Sequence, residues 1–195
     1  MLRRRDVLAF VIGAAGLAGC AGSGPTALYG LTAAEAAIPG GRRRGAQVLV
    51  PRPRALKALD TEYIAVVDSG PVYSYFPRVA WADSLPSVVQ SKIVATLQNT
   101  GRLRGVGLPG EGLLIDYQLQ TELRAFELRI DQGNRAVVEI AAKLVNDRNG
   151  RTSANRVFRA ETPSGGTGPD QAVAALNRSA DRVFADMAVW TIQNV

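Results

Sequence analysis

The sequence predicts an α+β fold: a twisted, mostly antiparallel sheet with two helices packed on one face. Three observations carry this. Apolar residues recur at helical spacing in two stretches, 85–100 and 169–190. Apolar and polar residues alternate with period two through most of 113–161, around an Asn149-Gly150 turn signal. Short apolar runs bounded by Gly and Pro precede the first helical stretch. A striped helix and a striped strand each need a partner for their apolar side, and helices laid on one face of a sheet supply it. The chain has 195 residues, 47% hydrophobic and 21% charged, which suits one globular domain with a sizeable core.

The first twenty residues, MLRRRDVLAFVIGAAGLAGC, stand apart from that fold. A basic cluster, Arg3, Arg4 and Arg5, precedes an apolar run at 7–17 that is too short to cross a bilayer as a helix but suits the centre of a signal peptide. Leu17, Ala18, Gly19 and Cys20 then match a bacterial lipobox, in which small residues admit the chain to a peptidase and the cysteine thiol takes a diacylglyceryl group. The organisation expected is therefore a signal peptide at 1–19, a lipidated tether at 20–27 and a folded domain at 28–195. Ala21 stands where the enterobacterial sorting rule places an inner-membrane retention aspartate, which favours the periplasmic face of the outer membrane. Arg4-Arg5 also fits a loose twin-arginine signal, so both export routes stay open. A multiply acylated Cys20 would hold the domain stably, each further buried methylene adding roughly 0.8 kcal/mol.

Along the body, 28–31 reads as a short strand, followed by an Ala/Gly/Arg-rich connection at 32–45 whose charge run, Arg42-Arg43-Arg44, reads as a solvated loop rather than a contact to lipid phosphates. A second strand at 47–50 stops at Pro51 and Pro53, and 63–67 reads as a buried strand. The stretch 72–76 is a strand that Pro77 ends. The helix at 85–100 carries Val88, Val89, Ile93 and Leu97 on one face, with Asp83 or Ser84 as cap, Pro86 in its first turn and Gly101 beyond its end. From 113 to 130 the inward set Ile115, Tyr117, Leu119, Thr121, Leu123 changes phase to Phe126, Leu128, Ile130, which requires a bulge near Ala125. Strands at 135–147 and 152–161 complete a meander. After a Gly-rich loop at 163–168, Pro169 and Asp170 open the second helix, with Val173, Leu176, Ala180, Val183, Phe184, Met187 and Trp190 on its apolar face.

Composition narrows the function classes. No histidine and a single cysteine leave no Cys/His zinc site, Ser-His-Asp triad, Cys-His dyad or internal disulfide. No catalytic residue, metal or cofactor is expected. The formal charge is +6; losing Arg3, Arg4, Arg5 and Asp6 with the signal lowers it to +4, which gives no reason to expect a nucleic-acid partner. Gly105 to Gly110 spells GxGxxG, but a strand follows it and no βαβ unit surrounds it, so it reads as a loop. Asp116, Glu122, Glu127 and Glu139 mostly face solvent by alternation, and Ser91 and Lys92, adjacent on a helix, do not face each other. The aromatic-rich stretch at 72–81 stands out. Tyr73, Tyr75 and Phe76 form a candidate partner- or lipid-binding surface, while Trp81 is expected to pack beneath the first helix.

The segments LDTEYIAVV, VYSYFPRVAWADSLPSVVQSKIVATLQNTG and IDYQLQTELRAFEL, with a final helix through Trp190 and a lipobox upstream, resemble the ABC-type transport auxiliary lipoproteins, the PqiC-like family. The similarity runs from about Tyr29 to Trp190. It implies a non-enzymatic component of an MCE-type lipid transport system, in which an inner-membrane ATPase and permease work with an MCE-domain protein that bridges the periplasm. The implied partners are that MCE-domain protein and the membrane through the lipid anchor, with homo-oligomerisation left open. A structural or assembly lipoprotein of another envelope complex is the alternative. An envelope hydrolase is disfavoured by the lack of histidine.

Overall fold

The computed structural model describes residues 24–36 and 44–195. The lipobox with Cys20, and Arg42 and Arg43 of the charge run, lie outside the described residues. The strands are β1 (Ala27–Tyr29), β2 (Gln47–Leu49), β3 (Arg54–Ala55), β4 (Tyr63–Ser69), β5 (Val72–Trp81), β6 (Gly105–Gly107), β7 (Tyr117–Arg129), β8 (Arg135–Asn146) and β9 (Thr152–Pro163), with helices α1 (Leu85–Asn99) and α2 (Pro169–Asn194).

The sheet is organised about β7. One side of β7 pairs antiparallel with β8 along its whole length, and β8 with β9. Its other side is met in succession by three parallel partners: β2 at Tyr117 and Gln118, β3 at Glu122 and Leu123, and β4 from Glu127 to Arg129. β6 extends β2, β5 folds back on β4, and β1 runs parallel to the end of β5. The long pairings are thus antiparallel and the parallel ones short, as an α+β arrangement requires.

The expected bulge is present. Leu123 pairs with Ile140 and Ala125 with Glu139, leaving Arg124 as the extra residue. Its insertion lets Leu119 and Leu123 before it, and Phe126 and Leu128 after it, all face the helices. On that side, Val89, Ile93 and Leu97 of α1 and Leu176, Val183, Phe184 and Met187 of α2 close the core, each nearly inaccessible. Each such side chain contributes on the order of 1.5–3 kcal/mol on burial. α1 begins after Ser84, with Pro86 in its first turn, and Gly101 follows at φ +61°, a left-handed conformation that glycine adopts freely. Trp81 packs edge-on to Phe126, ring centroids 5.7 Å apart, and is 1% exposed.

Four local expectations are corrected. Pro77 does not end β5: residues 76–79 lie opposite Ile64 alone, between the pairs Tyr63–Ala80 and Ala65–Tyr75, so proline's missing N–H falls in a bulge where no ladder bond is due. Gly105 to Gly107 is a strand, because β2 offers it an open edge. The first strand of the meander is preceded by a loop that takes in Leu113 and the exposed Leu114, and β7 starts at Tyr117. The first strand ends at Tyr29 rather than at 31, and beyond it the chain stays packed on the helices: Leu31 and Ala34 are buried, the Ala34 N–H donates to Thr96 Oγ1 at 3.1 Å and the Thr32 N–H to Asn177 Oδ1 at 2.9 Å.

A candidate docking face on the uncovered side of the sheet

Helices cover one side of the sheet, and alternation sends the remaining side chains of β4, β5, β7, β8 and β9 to the other. On that uncovered side a charge ladder runs from β7 through β8 to the edge strand β9. Arg159 of β9 reaches Glu139 and Glu161 at 2.7 Å each, and Arg135 of β8 reaches Glu161 at 2.9 Å. These arginines hold the Glu161 carboxyl below its ordinary range. Arg129 binds Asp131 at 3.0 Å and stands 3.7 Å from Glu127.

Glu127 departs from the solvent-facing position expected of it. It is on the uncovered side yet only 3% exposed, and burial pushes its carboxyl up, against the opposing effects of the Phe126 N–H at 3.1 Å and of Arg129. Burial, and then the Glu127 carboxylate, push the Tyr73 phenol up in turn. The other carboxylates of this ladder lie against guanidinium groups. Such an arrangement fixes strands and presents charge. Among the described residues no group of three or more acidic or cysteine side chains is placed to hold a metal ion.

Toward one end of the ladder, Arg54, Arg124 and Lys143 border a shallow depression of about 310 Å³ around Glu122. The pairs there are looser: Arg54 to Glu122 is 3.6 Å and Arg124 to Glu139 is 4.0 Å.

The aromatic candidates separate. Tyr73 is half-buried beside Glu127, and Phe76 packs against the core from β5. Tyr75 alone projects, 39% exposed, its hydroxyl donating to the Ala58 carbonyl at 3.2 Å. Its ring lies 5.6 Å from that of Tyr63, which is 51% exposed. Tyr63 pairs with Ala80, and Ala80 with the exposed Leu28 of β1, so Leu28 and Tyr63 share this side. The sequence pattern does not distinguish Tyr63 or Leu28, since 63–67 reads as one continuous apolar, buried run. The available signal was Glu62 just before Tyr63, marking the strand's exposed entrance.

The family model of the ABC-type transport auxiliary lipoprotein component matches residues 29–188. The chain belongs to this family. A Bradyrhizobium diazoefficiens relative, the uncharacterized protein bll6063, is 27% identical over 183 residues, which are 91% of this chain and 49% of the relative. The chain thus spans about half the length of that curated relative. Protein XCC0632 from Xanthomonas campestris has a similar structure, with a TM-score of 0.80 at 23% identity over 86% of this chain and 95% of that one. The PelC dodecamer of Paraburkholderia phytofirmans is more distant, with a TM-score of 0.51 at 15% identity over 81% and 93% of the two chains. These structures share the fold. The family is described as an auxiliary lipoprotein component of ABC-type transport.

Proposed function

We propose that this auxiliary lipoprotein is held on the periplasmic face of the outer membrane by an acylated Cys20. Residues 1–19 are removed as a signal peptide, 20–27 form the tether and 28–195 the domain. There it serves as the non-catalytic docking component of an MCE/ABC-type lipid transport system, with an MCE-domain protein as its partner. The observation that carries this reading is the family match over 29–188, which begins nine residues beyond a lipobox cysteine. The uncovered sheet face supports it as well, since its paired charges suit recognition better than bond making. Self-association is a natural second contact, because dodecameric PelC is built on a similar fold.

An affinity pull-down of the tagged, lipidated protein from native envelopes, with mass spectrometry of the captured partners, tests the proposal. Recovery of an MCE-domain protein is expected. Reproducible recovery of a different envelope complex without one would retain the lipoprotein and overturn its transport partner.

A further inference from the structure

We infer that Leu28, Tyr63 and Tyr75 form the face on which this domain rests against a lipid surface, an inference that depends on Cys20 being the anchor. The chain is fastened at Thr26, whose N–H and hydroxyl both donate to the Arg78 carbonyl, at 2.7 and 2.9 Å. From Cys20 to Thr26 an extended chain reaches at most about 20 Å, at roughly 3.3–3.6 Å per residue. The bilayer that holds Cys20 is therefore within that distance of the β1 edge.

That edge carries apolar surface. Leu28, two residues past the fastening point, is 63% exposed. The register Leu28–Ala80–Tyr63 sets Leu28 and Tyr63 on the same side of the sheet, with Ala80 fully covered between them, and Tyr75 stands against Tyr63. A leucine beside two tyrosines, each with an apolar ring and a polar tip, matches the boundary between acyl chains and headgroups. Cations flank the group: Arg78 is exposed in the β5 bulge and makes no ion pair with the described residues, and Lys57 adjoins Ala58, the acceptor of the Tyr75 hydroxyl. Both complement lipid phosphates. Three side chains are too few for a stable protein interface, which takes roughly 800 Å² from each partner. They suffice to orient a domain that a tether already holds at a membrane.

The test couples the processed chain, through Cys20 as its only thiol, to a maleimide lipid in phosphatidylcholine/phosphatidylglycerol vesicles with brominated acyl chains. Trp81 and Trp190 are buried and give a constant background. The Tyr63→Trp variant is expected to lose about half its added emission, as an indole at headgroup level would. Val157→Trp, at an exposed site on the far edge strand β9, should lose none. Equal quenching of both variants, or of neither, overturns the inference. Concentration-dependent protection of the Tyr63→Trp indole from aqueous iodide without vesicles also overturns it, in favour of a second copy. The acyl group on Cys20 is read separately, by mass spectrometry of the protein exported in cells. Its absence overturns the anchor, whereas absent quenching overturns the face.

Discussion

Asp116 and Glu127 both lie in or next to β7, yet their surroundings drive them in opposite directions. The Gln47 N–H, at 3.0 Å, lowers the Asp116 carboxyl, with Arg148 at 2.8 Å and Arg104 at 3.2 Å adding to it. Its folded value lies below the unfolded one, so its stabilisation is complete above the ordinary carboxylate range and disappears as pH falls through the lowered value. Asp116→Asn should cost about 1.5–3 kcal/mol at neutral pH, the range for hydrogen bonds to a charged group, with the deficit vanishing in acid. Glu127, raised by burial, has the reverse sign: the folded state binds the extra proton, and stability falls as pH climbs from the ordinary value through the raised one. Glu127→Gln should remove that slope and be at least as stable as the native chain at neutral pH. Urea unfolding of both variants from acid to neutral pH checks the two signs. Trp81→Ala should cost about 3–5 kcal/mol. Trp81→Phe should cost much less, because the indole Nε1 has no hydrogen-bond partner among the described residues for phenylalanine to lose. Denaturant midpoints separate the pair.

At the scale of elements, the two bulged strands were not equally legible. In β7 the phase change from Leu123 to Phe126 is written in the side chains, because both segments bury an apolar set against the same helices. Deleting Arg124 should accordingly leave a folded protein, since Leu123, Ala125 and Phe126 then alternate without a bulge. Deleting Glu122 instead turns the preceding inward set, with Leu119 and Thr121, to the other face and should prevent cooperative folding. Far-UV circular dichroism and amide exchange distinguish these outcomes. In β5 the bulge has no such signature. Pro77 reads locally as a stop, and the strand continues only because β1 and β4 hold Val79 to Trp81 from both sides. Arg78 there has φ +60°, a conformation that is costly for β-branched residues. Arg78→Val should destabilise by about 1–3 kcal/mol, while Arg78→Gly should fold normally; thermal melts read the difference. Helix α1 was legible nearly to the residue, because period, Pro86 and the terminating Gly101 all act within a few residues of chain, whereas α2 runs to Asn194, beyond the Trp190 at which its apolar stripe ends.

For the molecule as a whole, the anchor proposed at Cys20 and the folded core are expected to act independently. The described core begins beyond Cys20 and contains no residue before Leu31, so Cys20→Ala should change unfolding free energy by no more than about 0.5 kcal/mol, as surface substitutions usually do. The same variant should leave the membrane fraction for the soluble periplasm. A stable variant that stays wholly in the membrane fraction would refute the lipid anchor.

The sequence by itself determined the two helices, the β7 bulge and the meander, together with an inventory lacking the usual catalytic pairs, and it carries the lipobox signal on which the proposed anchor rests. Each of these is encoded in residue type or short-range period, and no distant partner is needed to read it. Only the tertiary structure decided the parallel docking of β2, β3 and β4 along one side of β7, the strand made by Gly105 to Gly107, and the burial of Glu127. It also separated Tyr75 from Tyr73 and Phe76 and joined it to Tyr63 and Leu28. Those outcomes depend on which strands become neighbours. Pairing between segments far apart in sequence follows from the fit of whole surfaces, and no local pattern records it.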